Sequence, residues 1–430
     1  MTACVQNPGS IRDLATAVAS GETTASSLVE RYLTRIDEVQ PLAAPWREVD
    51  GDRALQVAAK RDAQAKRGEI MGPLHGVPVG IKDIIDVAGL PTRCNSKALQ
   101  DRAPAAADAE LVLALKAAGA IVLGKVHTTE FAFFDPSPAR NPHNIEHTPG
   151  GSSSGSGAAV ASGTVPMALG TQTMASVNRP ASYCGIAAFK PSTRSLSTFG
   201  ASPLAPSYDT IGFYGWDVDS AVYAYEAVTA LGPVAAASDK PRIVFLEDDL
   251  LSDADPEMSA AVAARLAAFE AAGYTVERKA PPMPISRLVE LHKSTMSFEA
   301  AGALAHLVDY PAGQIGERIL GLIAEGAKIP AETYLAQRAE INALRKEFFA
   351  AARPTDLFFW PAAPGAAPLA STGTGEPKYI APWTLLGGPI VSMPLGLTSA
   401  EMPIGAILSG VPGSDLATGS AARMLDRIAV

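Results

Sequence analysis

Cysteine is scarce in this chain. Cys4, Cys94 and Cys184 are its three cysteines, odd in number, far apart and without a CxxC pair, which excludes a disulfide framework or a zinc knuckle and predicts reduced thiols. Positive charge is also in deficit: 35 Lys and Arg stand against 44 Asp and Glu, for a net charge of -9. No basic footprint for nucleic acid or anionic lipid is present, so neither is expected as a partner. No apolar run reaches the roughly 18 residues that span a bilayer, and MTACVQNPGS at the start lacks a basic segment followed by an apolar one. These absences together predict a soluble, cytoplasmic protein without a membrane partner. Internal repeats and charged linkers are absent too.

What remains is a chain of 430 residues, 47% of them hydrophobic, which can bury a large core. Apolar residues at helical spacing, such as Leu28, Tyr32, Leu33 and Ile36, predict helices between Ile11 and Lys66, with Ser10 as the first cap. Pro41 and Pro45 are expected to separate the last of them, Asp52 to Lys66. The order Val77 to Ile81, Ala106 to Ala118, Ile121 to Leu123 reads as strand, helix, strand, a parallel crossover unit. Residues 240–355 read as a strand, Arg242 to Leu246, followed by long helices that include Met258 to Ala272 and Ala331 to Ala352. Leu357 to Trp360, Ile390 to Pro394 and Gly405 to Leu408 read as short buried strands. The expectation is one α/β domain over residues 1–430, with a core at 70–215 and a mainly helical region at 240–355.

Between Thr148 and Gly163 runs TPGGSSSGSGAAVASG, whose small residues allow tight turns or close backbone approach. A flexible linker would stay polar, whereas this stretch passes into Ala158–Ala161, suited to a closely packed helix. A second small-residue stretch, GTQTMASVNRPASYCG, spans Gly170 to Gly185, and GVPVGIKDIIDVAG at 76–89 sets a lysine among apolar residues. With the lead-in KVHTTEFAFFDPSPARNPHN, these segments resemble the amidase signature family over roughly residues 70–215. The resemblance implies an α/β/α layered fold around a central twisted mixed β-sheet, and no cofactor or metal. It places the family's lysine on Lys82, its bridging cis-serine on Ser152 and its nucleophilic serine on Ser176.

The chemistry fits those residue types. A serine hydroxyl must lose its proton to a base as it attacks an acyl carbon, and an ordinary lysine is protonated at neutral pH. Burial beside Val79 and Ile81 disfavours the charged form and makes Lys82 a base. Asp83 would oppose this if near, but neighbouring strand residues point to opposite faces. The expected relay passes a proton from Ser176 to Ser152 to Lys82, and then back to the leaving nitrogen. By resemblance, backbone N–H groups of Thr173, Met174, Ala175 and Ser176 form the oxyanion hole. Met174 and Ala175 depart from the glycines usual there, so a turn needing φ > 0 at position 175 would be strained. Gln172 replaces a frequent aspartate, and Arg179 is expected to brace the loop.

Three motifs suggest other chemistry. GSSSG at 151–155 fits a nucleophile elbow with Ser153, but no histidine follows His306 to complete that triad. HNIEH at 143–147 fits an inverted zinc motif only on a helix, and Pro142 and Pro149 argue for a loop. GAIVLGK at 119–125 resembles a phosphate loop whose interior is an apolar strand. Phe131, Phe133 and Phe134 divide between core filling and an acyl pocket.

The function expected is hydrolysis of a C–N acyl bond in a small-molecule amide, with a carbamate (urethane) or aryl amide favoured. Residues 285–350 are the expected source of selectivity. Two alternatives are the glutamine-hydrolysing component of an amidotransferase, acting with partner subunits, and a non-catalytic binding homologue. Association into a homo-oligomer is left open.

Overall fold

The computed structural model describes residues 4–229 and 240–429. Among them, eleven strands form one mixed sheet. In chain order these are β1 (Trp46–Val49), β2 (Pro78–Lys82), β3 (Ile121–Val126), β4 (Met167–Gln172), β5 (Ala187–Lys190) and β6 (Thr210–Gly215). They continue with β7 (Ile243–Leu246), β8 (Val276–Lys279), β9 (Leu357–Pro361), β10 (Ile390–Leu397) and β11 (Pro403–Ser409). Their spatial order is β1-β3-β2-β4-β6-β5-β10-β11-β9-β7-β8. β2 runs parallel to both β3 and β4, and β7 to both β8 and β9.

Alternation along the strands builds two cores. In β4, β5 and β6, Met167, Leu169, Ala187, Phe189, Ile211 and Phe213 pack on one face, against helices Glu110–Ala117, Val218–Glu226 and Ile285–Ala303. Ala168, Ala188 and Tyr214 pack on the other, against helices Ala25–Ala43, Gly51–Lys66, Ser154–Ala161 and Asn178–Tyr183. The result is the expected α/β/α layering. Among the described residues, no helix is long and apolar enough to cross a membrane.

The β2–β3 crossover forms as the sequence predicts, and Ser10 Oγ accepts from Asp13 N–H at 3.3 Å to cap the first helix. Two boundaries differ. Pro41 lies inside helix Ala25–Ala43 rather than ending it; so near the C-terminus its missing N–H forfeits a single helical bond. The helix expected from Ala106 begins at Glu110. Residues 105–109 are held instead by the 86–90 loop, where Ala109 N–H donates to Asp86 and the Asp108 carboxylate accepts from Ala88 N–H at 2.9 Å.

β4 and β6 contain glycines that mask them as strands. A Cβ at Gly170 would lie 2.7 Å from Ser153 Oγ, and one at Gly212 would lie 2.8 Å from Val177. Glycine is required there because helix Ser154–Ala161 and the 173–177 loop press directly on the sheet.

Candidate active site

Lys82 is the last residue of β2, and Gln172 the last of its parallel neighbour β4. Carboxyl ends of adjacent parallel strands are where α/β sheets assemble sites. After β4 the chain bends through residues 173–176 and enters helix Asn178–Tyr183. Ser152 precedes helix Ser154–Ala161, and the Gly151–Ser152 peptide bond is cis. The structure thus brings all three predicted residues to one place: Lys82 Nζ lies 2.7 Å from Ser152 Oγ, and Ser152 and Ser176 line the same small cavity.

Lys82 is fully buried. Burial pushes its pKa well below the ordinary lysine value, against smaller opposing effects of Asp209 and Cys94, so the amine is neutral and carries a lone pair. Thr171 Oγ1, 2.8 Å from Nζ, accepts one N–H and leaves the lone pair for the Ser152 hydroxyl. Asp83 does not compete, because its carboxylate pairs with buried Lys125 at 3.0 Å.

The 173–176 loop is braced from several sides. Gln172 Oε1 accepts from Val177 N–H (2.8 Å) and Asn178 N–H (3.0 Å), while its Nε2 donates to Thr384 Oγ1, which in turn donates to Met174 C=O at 2.6 Å. Tyr214 OH donates to the carbonyls of Ser176 and Val177. Thr173 is gripped twice: its hydroxyl donates to buried Asp209 at 2.5 Å and its carbonyl accepts from His292 Nε2 at 2.8 Å. Burial pushes the pKa of His292 down to about 4, so its ring is neutral near pH 7. Arg179 braces as expected, donating to the carbonyls of Gly151 (2.7 Å) and Gly375 (2.6 Å).

Among the described residues, the N–H groups of Thr173, Met174, Ala175 and Ser176 donate to no protein acceptor. All four residues line the cavity. The strain anticipated at position 175 does not arise: Ala175 is not among the residues with positive φ, and its methyl packs in the core.

The small cavity has a volume of about 20 Å³. Beside it lies a chamber of about 600 Å³, walled by Val289, His292 and Met296 from helix Ile285–Ala303 and by Leu322 from helix Glu317–Gly326. Helix Ala331–Phe348, also expected to shape selectivity, does not line it, whereas residues 376–381 do. Phe133 and Phe134 line both spaces, and Phe131 is core. Their loop is pinned to the N-terminus of helix Glu317–Gly326. Glu130 accepts from Gly316 N–H (2.8 Å), Asp135 from Ile319 N–H (3.3 Å), and Arg318 donates to Phe134 C=O (2.9 Å).

The competing motifs are occupied structurally. Ser153 Oγ is tied to Thr171 N–H and C=O, both at 3.2 Å. His143 and His147 sit in a turn and bond the carbonyls of Cys184 and Ala367, and GAIVLGK runs into β3. Sequence reasoning missed Thr171, His292, Asp209, Tyr214 and Thr384 as supports. Recognition of β4 would have found Thr171, since period-two alternation sets it with Met167 and Leu169; no local signal marks His292 or Thr384.

A family model described as amidase matches residues 27–418. The chain is 30% identical to the amidase-type component of the glutamyl-tRNA(Gln) amidotransferase of Symbiobacterium thermophilum, with 92% of each chain covered. It is also 30% identical to the corresponding component from Anaeromyxobacter sp., with 97% and 95% covered. Among solved structures it resembles an amidase (27% identity, TM-score 0.90, 98% and 100% covered) and the peptide amidase of Stenotrophomonas maltophilia (26%, TM-score 0.82, 98% and 97%).

Proposed function

Since the chain belongs to the amidase family and is a hydrolase that cleaves amide C–N bonds, we propose that it works through an acyl-enzyme on Ser176, with Ser152 and neutral Lys82 as the proton relay. The observation that carries this reading is the buried Lys82 amine, 2.7 Å from Ser152 Oγ, on a cavity that Ser176 shares. As Ser176 Oγ turns toward Ser152 and attacks, its proton passes to Ser152 while the Ser152 proton passes to Lys82. Negative charge that develops on the acyl oxygen is taken up by the free N–H groups of residues 173–176. The relay runs backward to protonate the departing nitrogen, and water then releases the acid by the same steps. A fluorophosphonate probe is expected to label Ser176 in folded protein; no adduct there would remove Ser176 as nucleophile.

The substrate in this reading is a small-molecule amide, aryl amide or carbamate with an apolar body, because a 600 Å³ chamber suits a molecule far larger than a free amino acid. A second reading, an amidotransferase component that releases ammonia from glutamine for a partner, draws on the curated relatives. Glutaminase activity, or a partner protein retained through purification, would favour it over the first.

A further inference from the structure

The two spaces at the site differ thirtyfold in size, about 600 against about 20 Å³, and the wall between them is short. Five residues line both: Phe133, Phe134, Met174, Met296 and Pro377. They form a neck, and Met174 belongs to the loop that presents the free N–H groups. Ser152, by contrast, lines only the small cavity.

This asymmetry orients the substrate. An acyl oxygen held by the 173–176 loop directs the rest of the acyl group along that loop, past Met174, into the chamber. The leaving nitrogen must face Ser152, which returns its proton, and so lies in the small cavity. On this measure one water needs about 10–15 Å³, so about 20 Å³ admits a group the size of ammonia or water and little more. The same space then holds the water that resolves the acyl-enzyme.

We infer that the preferred substrate is a primary carboxamide whose acyl group is a bulky apolar body joined to the carbonyl by a slim, unbranched stem that passes the neck at Met174 and Met296. This rests on the acyl-enzyme reading above. The C–N bond of R–CO–NH₂ breaks as the Ser176 O–C bond forms, the serine proton leaves on nitrogen as NH₃, and water then converts the ester to R–COOH and restores the hydroxyl. Methionine suits the neck because its unbranched thioether repacks readily.

The test uses the intact chain and amides of one acid, 4-phenylbutyric acid, with ammonia, methylamine or aniline as leaving group, beside acetamide, acetanilide and 2,2-dimethyl-4-phenylbutyramide. The primary amide is expected to exceed the N-methyl amide and the anilide by ~10-fold or more in kcat/KM, and acetamide by ~10-fold or more, since one misplaced methylene is worth about 10–200-fold in a shaped site. The α-dimethyl amide is expected to be poor with the wild type and to gain ~10-fold relative to the unbranched amide in Met174→Gly or Met296→Ala. Anilides cleaved as well as primary amides, a preference for acetanilide over 4-phenylbutyramide, or an unchanged branched-to-unbranched ratio in both folded variants would each overturn the inference. Fluorophosphonate labelling separates the two levels: an unlabelled Ser176 removes the acyl-enzyme reading itself. A labelled Ser176 with the wrong preference, or with no member of the series cleaved, removes only the substrate inference.

Discussion

The loop around Ser176 and the chamber beside it are built on opposite principles. At residues 150–190 the helix and loop segments are made of small residues, and polar groups are buried and paired: Gln172 spans the loop, Thr173 is held at both ends, and Lys82 is neutral because nothing wets it. In the chamber the walls are Val, Leu, Met and Phe on two helices and one loop, with charges such as Lys293 and Glu325 on exposed positions. The first region fixes atoms by hydrogen bonds, so its errors cost rate; the second shapes a volume, so its errors cost selectivity.

Substitutions in the two regions should therefore separate. The largest effect is expected for Lys82→Ala, a fall in kcat of about 10²–10⁴-fold. The wild-type rate should rise with pH through the depressed lysine pKa, because protonation on the acid side removes the base, and the variant should lack that limb in a pH-rate profile. Gln172→Ala strips acceptors from the N–H groups of Val177 and Asn178; a loss of ~1–3 kcal/mol in denaturant melts is expected with a kcat fall of about 10–100-fold. Chamber substitutions invert the pattern. Val289→Ala should leave kcat for acetamide unchanged while it lowers kcat/KM for a bulky amide by about 10-fold, and an equal loss on both substrates would erase the distinction between the regions.

His292 joins the two regions, and its contribution depends on pH. Its folded pKa of about 4 lies below the ordinary 6.5, so the stability it supports is present above pH 6.5 and is lost as pH falls from 6.5 toward 4. Across that window the wild type should lose up to ~3 kcal/mol more than His292→Asn in unfolding free energy. The smallest effect is expected at Ala175→Gly. No left-handed φ awaits relief there, so turnover should stay within about twofold and stability should drop by about 0.5–1 kcal/mol from added chain freedom.

The lysine and both serines were legible because their chemistry needs them within short, ordered segments. Strands β2, β3, β9, β10 and β11 were legible from compact apolar runs. β4 and β6 were hidden because close packing replaced β-formers with Gly170, Gly212 and Gly215. The expectation of strain at Ala175 came from composition alone; backbone dihedrals depend on how Gln172 and Thr384, 212 positions apart, hold the loop between them, which local sequence does not encode. His292 stayed invisible for the same reason, since only the packing of helix Ile285–Ala303 onto the sheet sets it against Thr173.

The fastening of Phe133 and Phe134 has a kinetic consequence. Because three hydrogen bonds join their loop to helix Glu317–Gly326, the neck and the chamber wall travel as one body, and a substrate passes by turning side chains aside rather than by displacing backbone. Met174 is partly exposed, and rotamer exchange of such a side chain takes picoseconds to nanoseconds, against turnover times of about 0.1 s for a typical enzyme. Passage through the neck is then at equilibrium throughout the catalytic cycle. Solvent viscosity should leave kcat untouched, and acyl transfer or its hydrolysis sets the pace.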